Sequence, residues 1–84
     1  MIIGKVVGSV ISSRICDKLV GRKFMVVEPL DKMKSDTSQF VAIDNIGAGV
    51  GETVLISLGT AARIGCGHMD APIDAAIVGI VDEA

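Results

Sequence analysis

Hydrophobic and polar positions alternate first over residues 2–11. The even positions Ile2, Gly4, Val6, Gly8 and Val10 make a small, wholly apolar set, whereas the odd positions Ile3, Lys5, Val7, Ser9 and Ile11 are mixed. A period of two is that of a strand with one buried face. Gly4 and Gly8 would weaken a flat strand, so they point to a sharp bend or a close backbone approach, as at a barrel corner.

Residues 12–22 are polar and charged and read as a loop. Residues 23–28 (KFMVVE) predict a second strand, stopped by Pro29, which has no N–H for a ladder. Residues 30–38 carry Asp31, Lys32, Lys34, Ser35 and Asp36 and read as an exposed turn or hairpin tip. Residues 39–43 (QFVAI) predict a short third strand. Asp44, Asn45 and the glycines Gly47, Gly49 and Gly51 then form a permissive loop before a fourth strand at 52–58 (ETVLISL). Residues 59–64 (GTAARI) alone have helical leanings, with Thr60 placed to cap a single turn. After a loop at 65–72, residues 75–81 (AAIVGIV) predict a last strand.

That last strand and the second are apolar on both faces, whereas an antiparallel sheet with one wet side should alternate. In so small a chain the expected cover is a neighbouring subunit. Five strands with glycine bends, one short helical turn and no βαβ pattern give an all-β fold, a small and partly open OB-like five-stranded barrel.

Length and composition sharpen this picture. The 84 residues hold one domain, 1–84. A domain of this size buries only about 60–65% of the surface its unfolded chain exposes. Yet half the residues are hydrophobic, with mean hydropathy +0.61. The surplus favours a subunit whose second buried face lies between copies. A net charge of −2 and two Phe without Tyr or Trp leave neither a phosphate-neutralising excess nor stacking platforms, which argues against nucleic acid. The longest uncharged stretch, residues 53–62, is far short of the roughly 18 a spanning helix needs, and the N-terminus lacks the regions of a signal peptide. No membrane and a cytosolic location are therefore expected. In that compartment Cys16 and Cys66 read as packed or half-exposed thiols, and two isolated cysteines are not a metal signature.

Three motifs could carry chemistry. In Gly47-Ala48-Gly49-Val50-Gly51-Glu52 the sixth place of a dinucleotide fingerprint is a carboxylate, and a strand follows instead of a helix. A tight glycine loop with positive φ positions is the better reading. Cys66, His68 and Asp70 alternate in one short stretch and could ligate zinc or pair as Cys–His, but they lack the separated pairs of an ordinary site. Arg63 reads either as a C-terminal capping arginine or as an inter-subunit or anion-facing group. Asp74 and Asp82 bracket the last strand with no acid partner at catalytic spacing.

Read in order, the segments resemble one family. They are Gly4-Lys5-Val6-Val7-Gly8, Lys18-Leu19-Val20-Gly21, Lys23-Phe24-Met25-Val26-Val27-Glu28-Pro29-Leu30 and Ala42-Ile43-Asp44. Then come Gly47-Ala48-Gly49-Val50-Gly51-Glu52-Thr53-Val54-Leu55, Gly59-Thr60-Ala61-Ala62-Arg63 and the run from Asp70 to Asp82. Together they are similar to the EutN/CcmL family of pentameric vertex proteins from bacterial microcompartment shells. The resemblance implies an OB-like barrel in a cyclic homopentamer that caps the fivefold vertices of a cytoplasmic polyhedral shell, beside hexameric shell proteins. It implies no reaction, no cofactor and no metal. Gly59, Thr60, Ala61, Ala62 and Arg63 are its candidates for an axial pore or subunit interface. An OB-fold module binding oligonucleotide or saccharide is the alternative. Glu28 and Thr60 stand where family members often carry Gln and Ser, and Glu28 would add five like charges around a ring. The two cysteines lean towards a catabolic compartment over a carboxysome.

Overall fold

The computed structural model describes residues 1–30, 38–67 and 69–82. Its elements are β1 (Ile2–Val10), a 3-10 turn (Asp17–Leu19), β2 (Lys23–Pro29), β3 (Phe40–Asp44), β4 (Thr53–Leu58), α1 (Thr60–Gly65) and β5 (Ala75–Ile80). The expected strands are all present, with ends shifted by a residue or so. Pro29 is the last residue of β2, opposite Gly4, instead of lying just beyond it. The expected hairpin tip falls almost entirely on residues outside those described.

The strands form a barrel in the order β1-β2-β3-β5-β4, and β4 pairs back onto β1. The barrel is thus closed, not partly open. Closure depends on one parallel contact, Ile43↔Ala76 and Asp44↔Ile77, between β3 and β5; the other ladders are antiparallel.

Inside lie Val6, Met25, Val27, Ala42, Val54, Ile56, Ala75 and Ile77, with Ala48 reaching in from the glycine loop. Val6, Val27, Val54, Ile56 and Ile77 are the bulkiest fully buried side chains. Each contributes about 1.5–3 kcal/mol by leaving water. A second cluster of Ile43, Ala62, Ala71, Ile73 and Ala76 lies on the outside of the barrel, with Leu19, Phe24, Cys66 and Val78 packed against it. The chain itself thus covers part of the second faces of β2 and β5, at Phe24, Ala76 and Val78, while Val26 and Glu28 stay half-buried and Ile80 exposed. The covering residues belong to the helix, to residues 71–73 and to Leu19.

β1 shows why its glycines stand where they do. A Cβ on Gly4 would lie 2.9 Å from the Glu28 carbonyl oxygen and 3.2 Å from Ile56 Cδ1, so here two backbones approach too closely for a side chain. At Gly8 the β1–β2 register shifts, and a Cβ would meet only Val26 Cβ at 3.9 Å. Lys5 pairs with Glu28 across β1 and β2, which sets a positive charge opposite each Glu28.

Three substitutions should report on this packing. Gly4→Ala is expected to destabilise by about 1–3 kcal/mol through overpacking, whereas Gly8→Ala should be close to neutral; equal denaturant midpoints for the two variants would refute the close-approach argument. Ser57 Oγ is buried on the outer face of β4 without a hydrogen-bond partner among the described residues. Ser57→Ala should leave thermal stability unchanged or raise it by up to about 1 kcal/mol, and a clear loss would mean that the hydroxyl is used.

Candidate functional site

The glycine loop between β3 and β4 is built around two carboxylates. Asp44, buried at the end of β3, accepts backbone N–H bonds from Ile46 at 3.0 Å and Gly47 at 3.1 Å on Oδ1, and from Ala48 at 2.8 Å on Oδ2. Lys23 Nζ stands 3.4 Å from Asp44 Oδ2 at the rim. Glu52 Oε1 accepts from the Gly49 N–H at 2.6 Å. Gly47 and Gly51 take positive φ, 86° and 95°, as the glycine-loop reading expects, while Gly49 does not. The loop then joins β1: the Gly51 N–H donates to the Val6 carbonyl and the Val6 N–H to the Glu52 carbonyl. The amides of residues 46–49, 51 and 52 are therefore committed to the chain's own oxygens. A phosphate would have to displace a carboxylate from this loop.

At the far end of β4 the chain turns through Gly59 into α1. Gly59 has φ 62° and donates its N–H to the Asp74 carbonyl at 2.8 Å. Gly59, not Thr60, is the N-cap, and no side chain caps the helix. Thr60 is instead the first helical residue, and its hydroxyl accepts from Arg63 Nη2 at 3.0 Å. Arg63 Nη1 donates to the Ile73 carbonyl at 3.1 Å. Arg63 thus fastens α1 to residue 73 of its own chain. Ala62 is fully buried beneath the helix, whereas Gly59, Thr60 and Ala61 are exposed.

The Cys66, His68 and Asp70 stretch is only partly described, since His68 lies outside the described residues. Cys66 Sγ donates to the Arg63 carbonyl at 3.4 Å, and Asp70 binds Lys18 Nζ at 2.6 Å. Cys16 and Cys66 are both free thiols, and no group of three ligating side chains converges among the described residues. A surface groove of about 470 Å³ runs past Arg22, Lys23, Asp44 and Asn45. Its charges are already engaged, Lys23 with Asp44 and Arg22 Nε with the Lys18 carbonyl. Phe24 and Phe40 are packed against the two cores and are not displayed as stacking faces.

The role of Asp44 escaped the sequence reading, although an Asp followed closely by Asn and Gly is the signature of a side chain that folds a turn back onto itself. The Lys18–Asp70 bridge spans 52 positions and leaves no local signal.

These contacts define a class of molecule: a small closed barrel whose polar groups are spent on shaping its own loops. Residues 1–82 match the family model described as "Ethanolamine utilisation protein EutN/carboxysome". The bacterial microcompartment shell vertex protein GrpN of Rhodospirillum rubrum is 46% identical over 83 residues, covering 98% of this chain and 93% of the relative. The carboxysome shell vertex protein CcmL of Gloeobacter violaceus is 42% identical, covering 98% and 83%. Among solved structures, an ethanolamine utilization protein EutN superposes with TM-score 0.90 at 38% identity over 100% of this chain and 88% of that one. The GrpN pentameric microcompartment shell protein superposes with TM-score 0.83 at 44% identity, covering 100% and 95%. The chain belongs to the EutN/CcmL family.

Removing the Asp44 carboxylate should expose what it holds. Asp44→Ala leaves buried donors unmatched and is expected to cost about 2–4 kcal/mol, with a smaller loss for Asp44→Asn, which keeps one acceptor oxygen. Hydrogen exchange at Ile46, Gly47 and Ala48 should accelerate before the rest of the barrel. Uniform acceleration would show that Asp44 has no local role.

Proposed function

We propose that this chain is a structural, non-enzymatic shell protein. Its cyclic pentamers cap the fivefold vertices of a cytoplasmic bacterial microcompartment and close facets built from hexameric shell proteins. The observation that carries the proposal is a family match over residues 1–82, with relatives named as shell vertex proteins and one solved relative described as pentameric. The whole chain, 1–84, acts as one vertex-type domain. Among the described residues no helix is long and apolar enough to cross a membrane.

The segment from Gly59 to Arg63 is the proposed pore or interface element, in a narrower form than the sequence suggested. Gly59, Thr60 and Ala61 can face a neighbour or an axial opening. Ala62 faces the chain's own core, and Arg63 is a positioning residue behind them.

Light scattering should give a particle of five 8.7 kDa subunits at all practical concentrations. A monomer or dimer would remove the basis for capping. Co-expression with hexameric shell proteins should give closed polyhedra only when this chain is present, and equal closure in its absence would refute the function.

A further inference from the structure

The polar bonds that shape residues 59–67 and 69–74, between β4 and β5, are made inside that stretch. The Gly59 N–H donates to the Asp74 carbonyl and closes its base. The Ala62, Cys66, Gly67 and Ile73 N–H groups donate to the carbonyls of Gly59, Ala62, Ile64 and Ala71. Arg63 joins Thr60 to the Ile73 carbonyl, and the Cys66 thiol donates to the Arg63 carbonyl. Lifting the stretch off the barrel as one body breaks none of these bonds.

The groups that dock it are small. Its buried members of the outer cluster are Ala62, Ala71 and Ile73. Two of the three are alanines, which remove far less apolar area from water than the valines and isoleucines inside the barrel. From outside the stretch, Lys18 Nζ reaches Asp70 at 2.6 Å, with side chains 57% and 64% exposed. An ion pair this open to water is weak and is screened by salt.

One group beneath the stretch opposes docking. A Cβ on Gly65 would lie 3.1 Å from Val78 Cγ1 and 3.6 Å from Ser57 Oγ, so the end of α1 sits directly over Ser57. That hydroxyl is buried with no hydrogen-bond partner among the described residues. With α1 in place it forgoes water, and with α1 lifted it regains it.

We infer that residues 59–67 and 69–74 form a strap that lifts from the barrel as one unit, turning about Gly59 and Asp74. The Lys18–Asp70 bridge is its latch, and the buried Ser57 hydroxyl favours release. The open state is a minor one in which the β4–β5 ladder persists and the outer faces of Ile43 and Ala76 are uncovered. Thr60 and Ala61 travel with the strap, so its position sets where the pore or interface element stands; this consequence alone rests on the shell-protein reading above.

Hydrogen exchange on the full chain, in its native assembly, tests the strap. The Ala62, Cys66 and Ile73 amides should exchange at least about tenfold faster than the Val6 amide of the barrel. Lys18→Ala should speed all three by one common factor of about threefold, leaving Val6 unchanged. Molar salt should do the same to the parent and nothing further to Lys18→Ala. Gly65→Leu, which has no room against Val78, should speed them by at least about tenfold, and Ser57→Ala should slow them. Lys18→Ala and Ser57→Ala keep the test decisive if leucine disturbs folding. Unrelated factors at the three amides, or equal acceleration of Val6, would overturn the strap and leave the shell reading standing. A particle without five subunits would overturn the ring and leave the exchange result intact.

Discussion

The seam between β3 and β5 is the place where this barrel could come apart. It is parallel and holds only two register pairs, against five between β2 and β3. Parallel pairing is also slightly weaker per residue than antiparallel. The features outside the barrel make sense as a cover for that seam. Ile43 and Ala76, which pair across it, are both members of the outer cluster, together with Ala62 of α1 and Ala71 and Ile73 of the following loop. Leu19 and Phe24 extend the cover from the other side, and Lys18 meets Asp70 above it. Arg63 holds the helix to residue 73 in the loop before β5, so two parts of the clasp are fastened to each other by one side chain. Asp44 sits in the same seam, opposite Ile77, and from there organises the glycine loop.

What could be read from the sequence follows the range of the forces involved. The alternation in β1 and the apolar runs of β2 and β5 are local records of burial, so the strands were legible. Gly4 was legible as a close approach because no other residue solves that problem, though its partner, the Glu28 carbonyl, was not. The two-faced character of β5 is visible in the sequence, but the residues of the same chain that cover Ala76 are not. Nothing in the runs around residues 60–73 announces that Ala62, Ala71 and Ile73 fold back over Ala76, since small apolar residues carry no direction. Arg63 was ambiguous for a similar reason: its acceptors are a hydroxyl one turn away and a main-chain carbonyl, neither of which has a sequence signature.

A closed barrel restricts how copies can meet. Open sheets associate by adding strands at their edges, but in this ring of strands each one is paired on both sides. Where those edges are taken, copies meet through side chains and loops, and the precision of such contacts depends on how firmly the loops are held. In this chain the firmness comes from polar groups turned inward on the backbone. Asp44 and Glu52 stiffen one loop, and Arg63 and the Gly59 N–H stiffen the other. The same commitment explains why the glycine loop does not serve as a phosphate cradle: donors that fix its shape are not available to a ligand.

The apolar surplus can then be divided by physical role. One share fills the barrel, a second covers the weak seam, and a third stays on the surface. Single exposed apolar side chains need no explanation. Those on rigid loops at the two ends of one strand are different, because their positions relative to each other are fixed through β4. Ring closure needs a constant angle between two faces of each subunit, and a short strand with ladder partners on both sides is well suited to hold one. The barrel's contribution to assembly is therefore angular.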